Sequence, residues 1–220
     1  MKTKLLAAVS VFLILSIATG AVAAMKTFIR DYTYQASEVD SKQSCRIIAT
    51  EQVKRLLLEE LGTYLESHTE VVNYQLTKDQ ITTLTAGVVK TKILEEKWDG
   101  EKYWLKAKID ADPDEVAKEI EKLRTDRKKV QELEESRRKT DVAMKDMEEI
   151  RKEMESDQET VSDQDSKKKT DQYNEKVQSL KLIQAMTESF KALQTRNPEK
   201  VMGTLFDMME TIMIQKRPGE

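Results

Sequence analysis

The sequence predicts an α+β fold: a small, mostly antiparallel four-stranded sheet in the order β-α-β-α-β-β, packed by helices. A long helix or coiled coil and a C-terminal helical hairpin follow it. Three observations predict this. Residues 27–36 and 101–109 alternate apolar and polar at period two, the mark of half-buried strands. Residues 45–65 carry apolar side chains at helical spacing. Beyond Asp112 the chain turns densely charged, within an overall 35% of Asp, Glu, Lys and Arg against 5% aromatic, too little material for a second broad core.

The elements follow in order. Phe28, Tyr32, Tyr34 and Ala36 mark a first strand. Ser37-Glu38-Val39-Asp40 reads as a helix start with an acidic first turn, opening a helix to about Ser67. Its inner stripe is Cys45, Ile48, Ala49, Val53, Leu56, Leu57, Leu61, Tyr64 and Leu65, wide enough to lie on a sheet. Val71–Leu76 predicts a second strand. Thr77 and Gln80 form a capping box for a short helix that stops near Gly87. Val88–Trp98 and Glu101–Ile109 predict the last two strands, joined at Asp99-Gly100, a pair that accepts the positive φ of a tight turn. A two-residue loop would set Glu96, Lys92 and Lys90 opposite apolar partners, so a bulge or a longer loop is expected.

Asp112-Pro113-Asp114-Glu115 opens a helix expected to run to about Met154. Val116, Ile120, Leu123 and Val130 form one heptad seam, and Leu133, Met144, Met147 and Met154 a second, displaced by three residues. Arg127, Arg137 and Arg151 interrupt these seams, and a paired coiled coil and a single solvated helix both fit. Residues 156–170 read as a linker. Residues 171–217 read as a helical hairpin, one arm bearing Val177, Leu180, Ile183, Met186, Phe190 and Leu193. The other restarts at Asn197-Pro198 with Val201, Met202, Leu205, Met208, Met209, Ile212 and Met213. The expected organisation is a leader at 1–24, the α+β domain at 25–112, the long helix at 113–155, and then linker and hairpin.

The leader reading rests on Met1-Lys2-Thr3-Lys4, the uncharged run Leu5–Ile17, and Ala21-Val22-Ala23, whose small residues suit signal peptidase. Cleavage near Ala23 or Ala24 and a periplasmic or secreted destination are expected; an uncleaved anchor is the competing reading. No membrane span is expected after cleavage. Cys45 is the sole cysteine, which excludes an intramolecular disulfide, and its place on the apolar stripe predicts a buried, inert thiol.

The segments "DSKQSCRIIATEQVKRLLLEELGTYLES", "LTKDQITTLTAGVVKT" and "EKWDGEKYWLKAKIDADP" resemble a small N-terminal domain of uncharacterised exported bacterial proteins. That domain is in turn similar to the N-terminal module of the flagellar assembly protein T family. The resemblance covers about Thr27 to Arg127. It implies a Gram-negative envelope module of accessory or scaffolding type, and it brings no catalytic residues with it.

Chemistry is thinly represented. His68 is the lone histidine, at an expected helix end, with no nucleophile motif beside it. One His and one Cys cannot build a zinc site. Residues 110–115 are acidic without the glycine and spacing of a calcium loop. Glycine-rich phosphate loops and a basic nucleic-acid footprint are lacking, at a formal net charge of −3. Neither catalytic residue, metal, cofactor nor nucleic-acid partner is therefore expected. The expected function is a non-enzymatic interaction or scaffold protein, its sheet docking an unidentified protein partner and its helices setting spacing or oligomeric state. An exported enzyme or accessory subunit using carboxylate chemistry is the alternative. The candidate interaction surface is Trp98, Tyr103 and Trp104 on the sheet, with Leu205, Met208, Met209 and Ile212 near the C-terminus. For Trp104 two readings stand, docking surface and cross-strand packing. Self-association is expected to depend on Asp171–Arg217.

Overall fold

The computed structural model describes residues 25–68, 76–156 and 163–194. Its elements are β1 (Lys26–Gln35), α1 (Lys42–His68), α2 (Lys78–Val88), β2 (Lys92–Trp98), β3 (Lys102–Ala111), α3 (Pro113–Thr125), α4 (Arg127–Ser156) and α5 (Asp163–Gln194). The three strands form one antiparallel sheet in the order β1-β3-β2. The strand expected over Val71–Leu76 lies outside the described residues, apart from Leu76, which is not in a strand.

β3 takes the central place, and its alternation holds: Tyr103, Leu105, Ala107 and Ile109 are buried on the inner face, with Phe28 and Tyr34 of β1 beside them. α1 lies across that face. Cys45, Ile48, Ala49, Val53, Leu57, Leu61 and Leu65 are buried as their spacing predicts, and Leu56 is 37% exposed, a correction to the expected stripe. Helices also pack on the far side of α1. Ile47 is buried there, and its carbonyl accepts from Gln184 of α5 at 3.3 Å. The start of α1 also differs from expectation. Ser41 and Ser44 bond reciprocally, each hydroxyl accepting from the other's backbone N–H, and no acid sits in the first turn.

α2 stops at Val88, near Gly87 as expected, and β2 begins at Lys92 rather than Val88. A methyl built on Gly87 would lie 2.6 Å from Leu133 Cδ1 and 3.0 Å from Leu123 Cδ2, so the missing side chain lets α2 approach α3 and α4. Gly87→Val is accordingly expected to destabilise the fold by about 1–3 kcal/mol through overpacking, read as a lower denaturation midpoint at unchanged slope. The hairpin has both devices its register demanded. Leu94 is left unpaired between the Ile93–Ala107 and Glu95–Lys106 pairs. Asp99 Oδ1 accepts from the N–H groups of Glu101 and Lys102 at 2.9 and 2.7 Å, with Gly100 at φ +106°.

The single helix expected from Asp112 to Met154 is two helices. At Asp126 the backbone N–H returns to the Leu123 carbonyl while Oδ1 accepts from Lys129 N, closing α3 and capping α4. The three-residue displacement between the heptad seams lies after Val130, inside α4, and does not coincide with this break. Val116, Ile120 and Leu123 are buried in α3, and Leu133 and Met147 in α4. Arg137 donates to the Asp79 carbonyl and Thr83 Oγ1 at 2.9 and 2.6 Å, so an apparent defect in the seam is a contact with α2.

α5 begins at Asp163, which places much of the expected linker in a helix. It returns antiparallel to α4: Ser136 faces Thr187 at 3.0 Å, Asp146 faces Lys176 at 2.6 Å, and Glu153 faces Lys169 at 3.2 Å. The helical hairpin of the described chain is thus α4–α5. The one expected over 171–217 retains only its first arm here, the rest lying outside the described residues. Tyr173, Val177 and Leu180 of α5 join the core, so α4 and α5 are neither a free rod nor a separate domain. Among the described residues no helix is long and apolar enough to cross a membrane.

Candidate functional site

Strand pairing separates the three aromatic residues. Trp98 is opposite Tyr103, and both face inward, their rings 6.0 Å apart. The buried Tyr103 hydroxyl donates to Glu96 Oε2 at 2.8 Å, and the same oxygen accepts from Arg46 Nε at 2.9 Å. Arg46 holds the Glu96 carboxyl below its usual range, and Glu96 in turn raises the Arg46 guanidinium. Burial first, and the Glu96 bond second, push the Tyr103 phenol up to about 12. This group fastens the hairpin to the first turns of α1. It is packing.

Trp104 points the other way. It pairs with Thr33 of β1 and Lys97 of β2 on the outer face. Its Nε1 donates to Asp31 Oδ2 at 3.0 Å, and Lys97 Nζ stands 5.2 Å from the ring centroid. Hydrogen bond and cation fix the ring with one side to solvent. Around it Ile29, Asp31 and Thr33 are exposed, and Lys106 and Lys108 are half-buried. Asp110 at the far end accepts from Lys108 and Thr27 at 3.0 and 2.8 Å, which lowers its pKa. The result is a flat face with an aromatic centre and lysines on two strands. Leu205, Met208, Met209 and Ile212 lie outside the described residues.

A second polar centre has no motif in the sequence. Asp40, just before α1, accepts from Tyr34 (3.0 Å) and Tyr173 (2.6 Å) hydroxyls, from Ser44 Oγ (2.9 Å), and from Ser37 through both N–H and hydroxyl (2.9 and 2.8 Å). It joins β1, α1 and α5. Burial pushes the Tyr34 phenol up to about 12 and drives Tyr173 higher still. Cys45 next to it is fully buried, its thiol raised to about 11 by burial and then by the Asp40 charge, so it is a poor nucleophile. The adjoining cleft of about 650 Å³ runs between β1, α1 and α4. Its charges are already paired: Arg55 with Asp141 at 2.5 Å, Lys145 with Glu149 at 3.5 Å, and Arg151 with Glu148 at 3.3 Å.

Lys191 of α5 is a further buried ionisable group. Its amine, lowered by burial, bonds Glu188 at 3.0 Å, and Glu188 also approaches Lys54 at 3.7 Å, which ties α5 to α1. Among the described residues no three His, Cys, Asp or Glu side chains converge to hold a metal ion. No protein-family model, curated protein or solved structure matches the chain.

Proposed function

We propose that the chain is an exported, non-enzymatic interaction protein whose sheet docks a protein partner on its outer face, with Trp104 as anchor. The carrying observation is that Trp104 is held rigidly on a face that no described helix covers. A pre-oriented aromatic ring loses little conformational freedom on binding, and such residues dominate interface energetics. The lysines around it suit acidic groups at the rim of the partner. The basic n-region, the apolar run and the small residues at 21–23 support export to the periplasm or beyond. The resemblance to the N-terminal domain of exported envelope proteins supports the same setting. Because α4 and α5 fold back on the domain, their role in this reading is to brace the sheet rather than to hold partners apart.

The test places a photo-cross-linking residue at Thr33 or Lys106 on the outer face, and at Lys152 as a remote control, in the exported full-length chain. One recurring protein adduct is expected from the two sheet positions alone. With that partner purified, Trp104→Ala is expected to weaken binding by about 2 kcal/mol or more, roughly 30-fold, while the unfolding midpoint shifts little. Equal adducts from all three positions, or unchanged affinity in the variant, reject the proposal.

A further inference from the structure

We propose that the groove on the outward side of α4 and α5 is covered by the chain's own C-terminal segment, Asn197–Met213, which adds a third helix antiparallel to α5. The groove consists of two adjoining hollows of about 240 and about 350 Å³ that share Lys139, Ile183 and Met186. Only α4 and α5 line it. Val142 is 47% exposed and Met186 51%, with Leu182 and Ile183 half-buried between them, an apolar strip facing away from the core. Surface helices normally carry such positions only where something packs on them.

Chain geometry selects the occupant. α5 is described to Gln194, about 10 Å past the end of the groove marked by Ser136 and Thr187, and Pro198 disfavours helix at the residue before it. Three residues then precede Pro198, a residue suited to the first turn of a helix. Three residues reach at most about 10 Å. That allows a tight reversal but not a return to the far end of the groove at Lys176, about 27 Å back along α5 from Gln194. Antiparallel entry is therefore the direction open to this chain. The sixteen residues from Pro198 to Met213 make a helix of about 24 Å, longer than the groove. Val201, Met202, Leu205, Met208, Met209 and Ile212 fall on one face of it, and methionines adapt to an irregular groove.

Charge order agrees with that direction. Lys200, near the start of the segment, arrives beside Glu132 and Glu135 at the Thr187 end. Asp207 and Glu210 arrive about two turns further along, level with Arg138 and Lys139. Reversed entry would set acid against acid and base against base.

The test is disulfide mapping in the full chain, where the native Cys45 is fully buried. Met186→Cys combined with Leu205→Cys or with Met209→Cys is expected to form an internal disulfide in at least one pairing, seen as an oxidised monomer. Lys168→Cys, exposed near the other end of α5, combined with Leu205→Cys is expected to stay reduced. In a second measurement, Leu205→Asp with Met209→Asp is expected to speed thiol labelling of Met186→Cys at least tenfold by uncovering the groove. Disulfides only between two chains would assign the groove to a second copy and overturn the proposal. So would the absence of any Met186→Cys link, or labelling indifferent to the two aspartates.

Discussion

Asp40→Ala is expected to lower the unfolding free energy by about 3–5 kcal/mol. The carboxylate accepts from three side-chain hydroxyls on β1, α1 and α5 and from both polar groups of Ser37. Hydrogen bonds to a charged group contribute about 1.5–3 kcal/mol each, and a buried phenol left without an acceptor costs about 1–3. These contributions share one carboxylate and do not add, which holds the total to the stated range. Tyr173→Phe removes one bond and spares the rest, with an expected loss of about 1–2 kcal/mol. Chemical denaturation of the two single variants and the double variant measures the coupling. A loss below 1 kcal/mol in Asp40→Ala would reduce the cluster to a surface feature.

The second large effect is alkaline. Tyr34 and Tyr103 have phenols raised to about 12 in the fold, and Tyr173 is raised further, against an ordinary value near 10. A group with a raised folded pKa contributes stability that is fully present below its unfolded pKa. Between about pH 10 and 12 the unfolded chain gives up phenolic protons that the fold retains, so stability falls as pH rises through that window. The expected result is cooperative unfolding above about pH 11, with a steep phenolate absorbance rise coincident with loss of helical circular dichroism. Phenolate appearing well before the helices melt would show that these hydroxyls are open to solvent.

Periodic features of this molecule were legible and long-range polar ones were not. The alternation of Tyr103, Leu105, Ala107 and Ile109 and the stripe from Cys45 to Leu65 announce their burial because packing on a sheet imposes a period. The misfit of Glu96 and Lys92 in a two-residue hairpin announced the irregularity found at Leu94. Asp126 was hidden because a capping aspartate inside a charged helix looks like any solvated residue. The return of α5 rests on pairs such as Tyr173–Asp40 and Gln184–Ile47, 133 and 137 residues apart, which leave no local pattern. For the candidate surface, alternation alone sent Trp104 and Tyr103 to opposite faces. Which face stayed uncovered depended on where the helices packed.

The unpaired Leu94 has a consequence for how this sheet can meet other chains. Among the described residues β2 lies at an edge of the sheet, where unsatisfied N–H and C=O groups invite another strand to join and extend it. An extra residue in mid-strand breaks the spacing of those groups and increases the local twist, and Lys92 and Lys97 bracket it. A strand docking there in regular register would lose bonds at the kink. The β2 side thus resists the edge-to-edge stacking that seeds fibrils. It also directs recognition away from backbone pairing at that edge and onto the side chains of the open face.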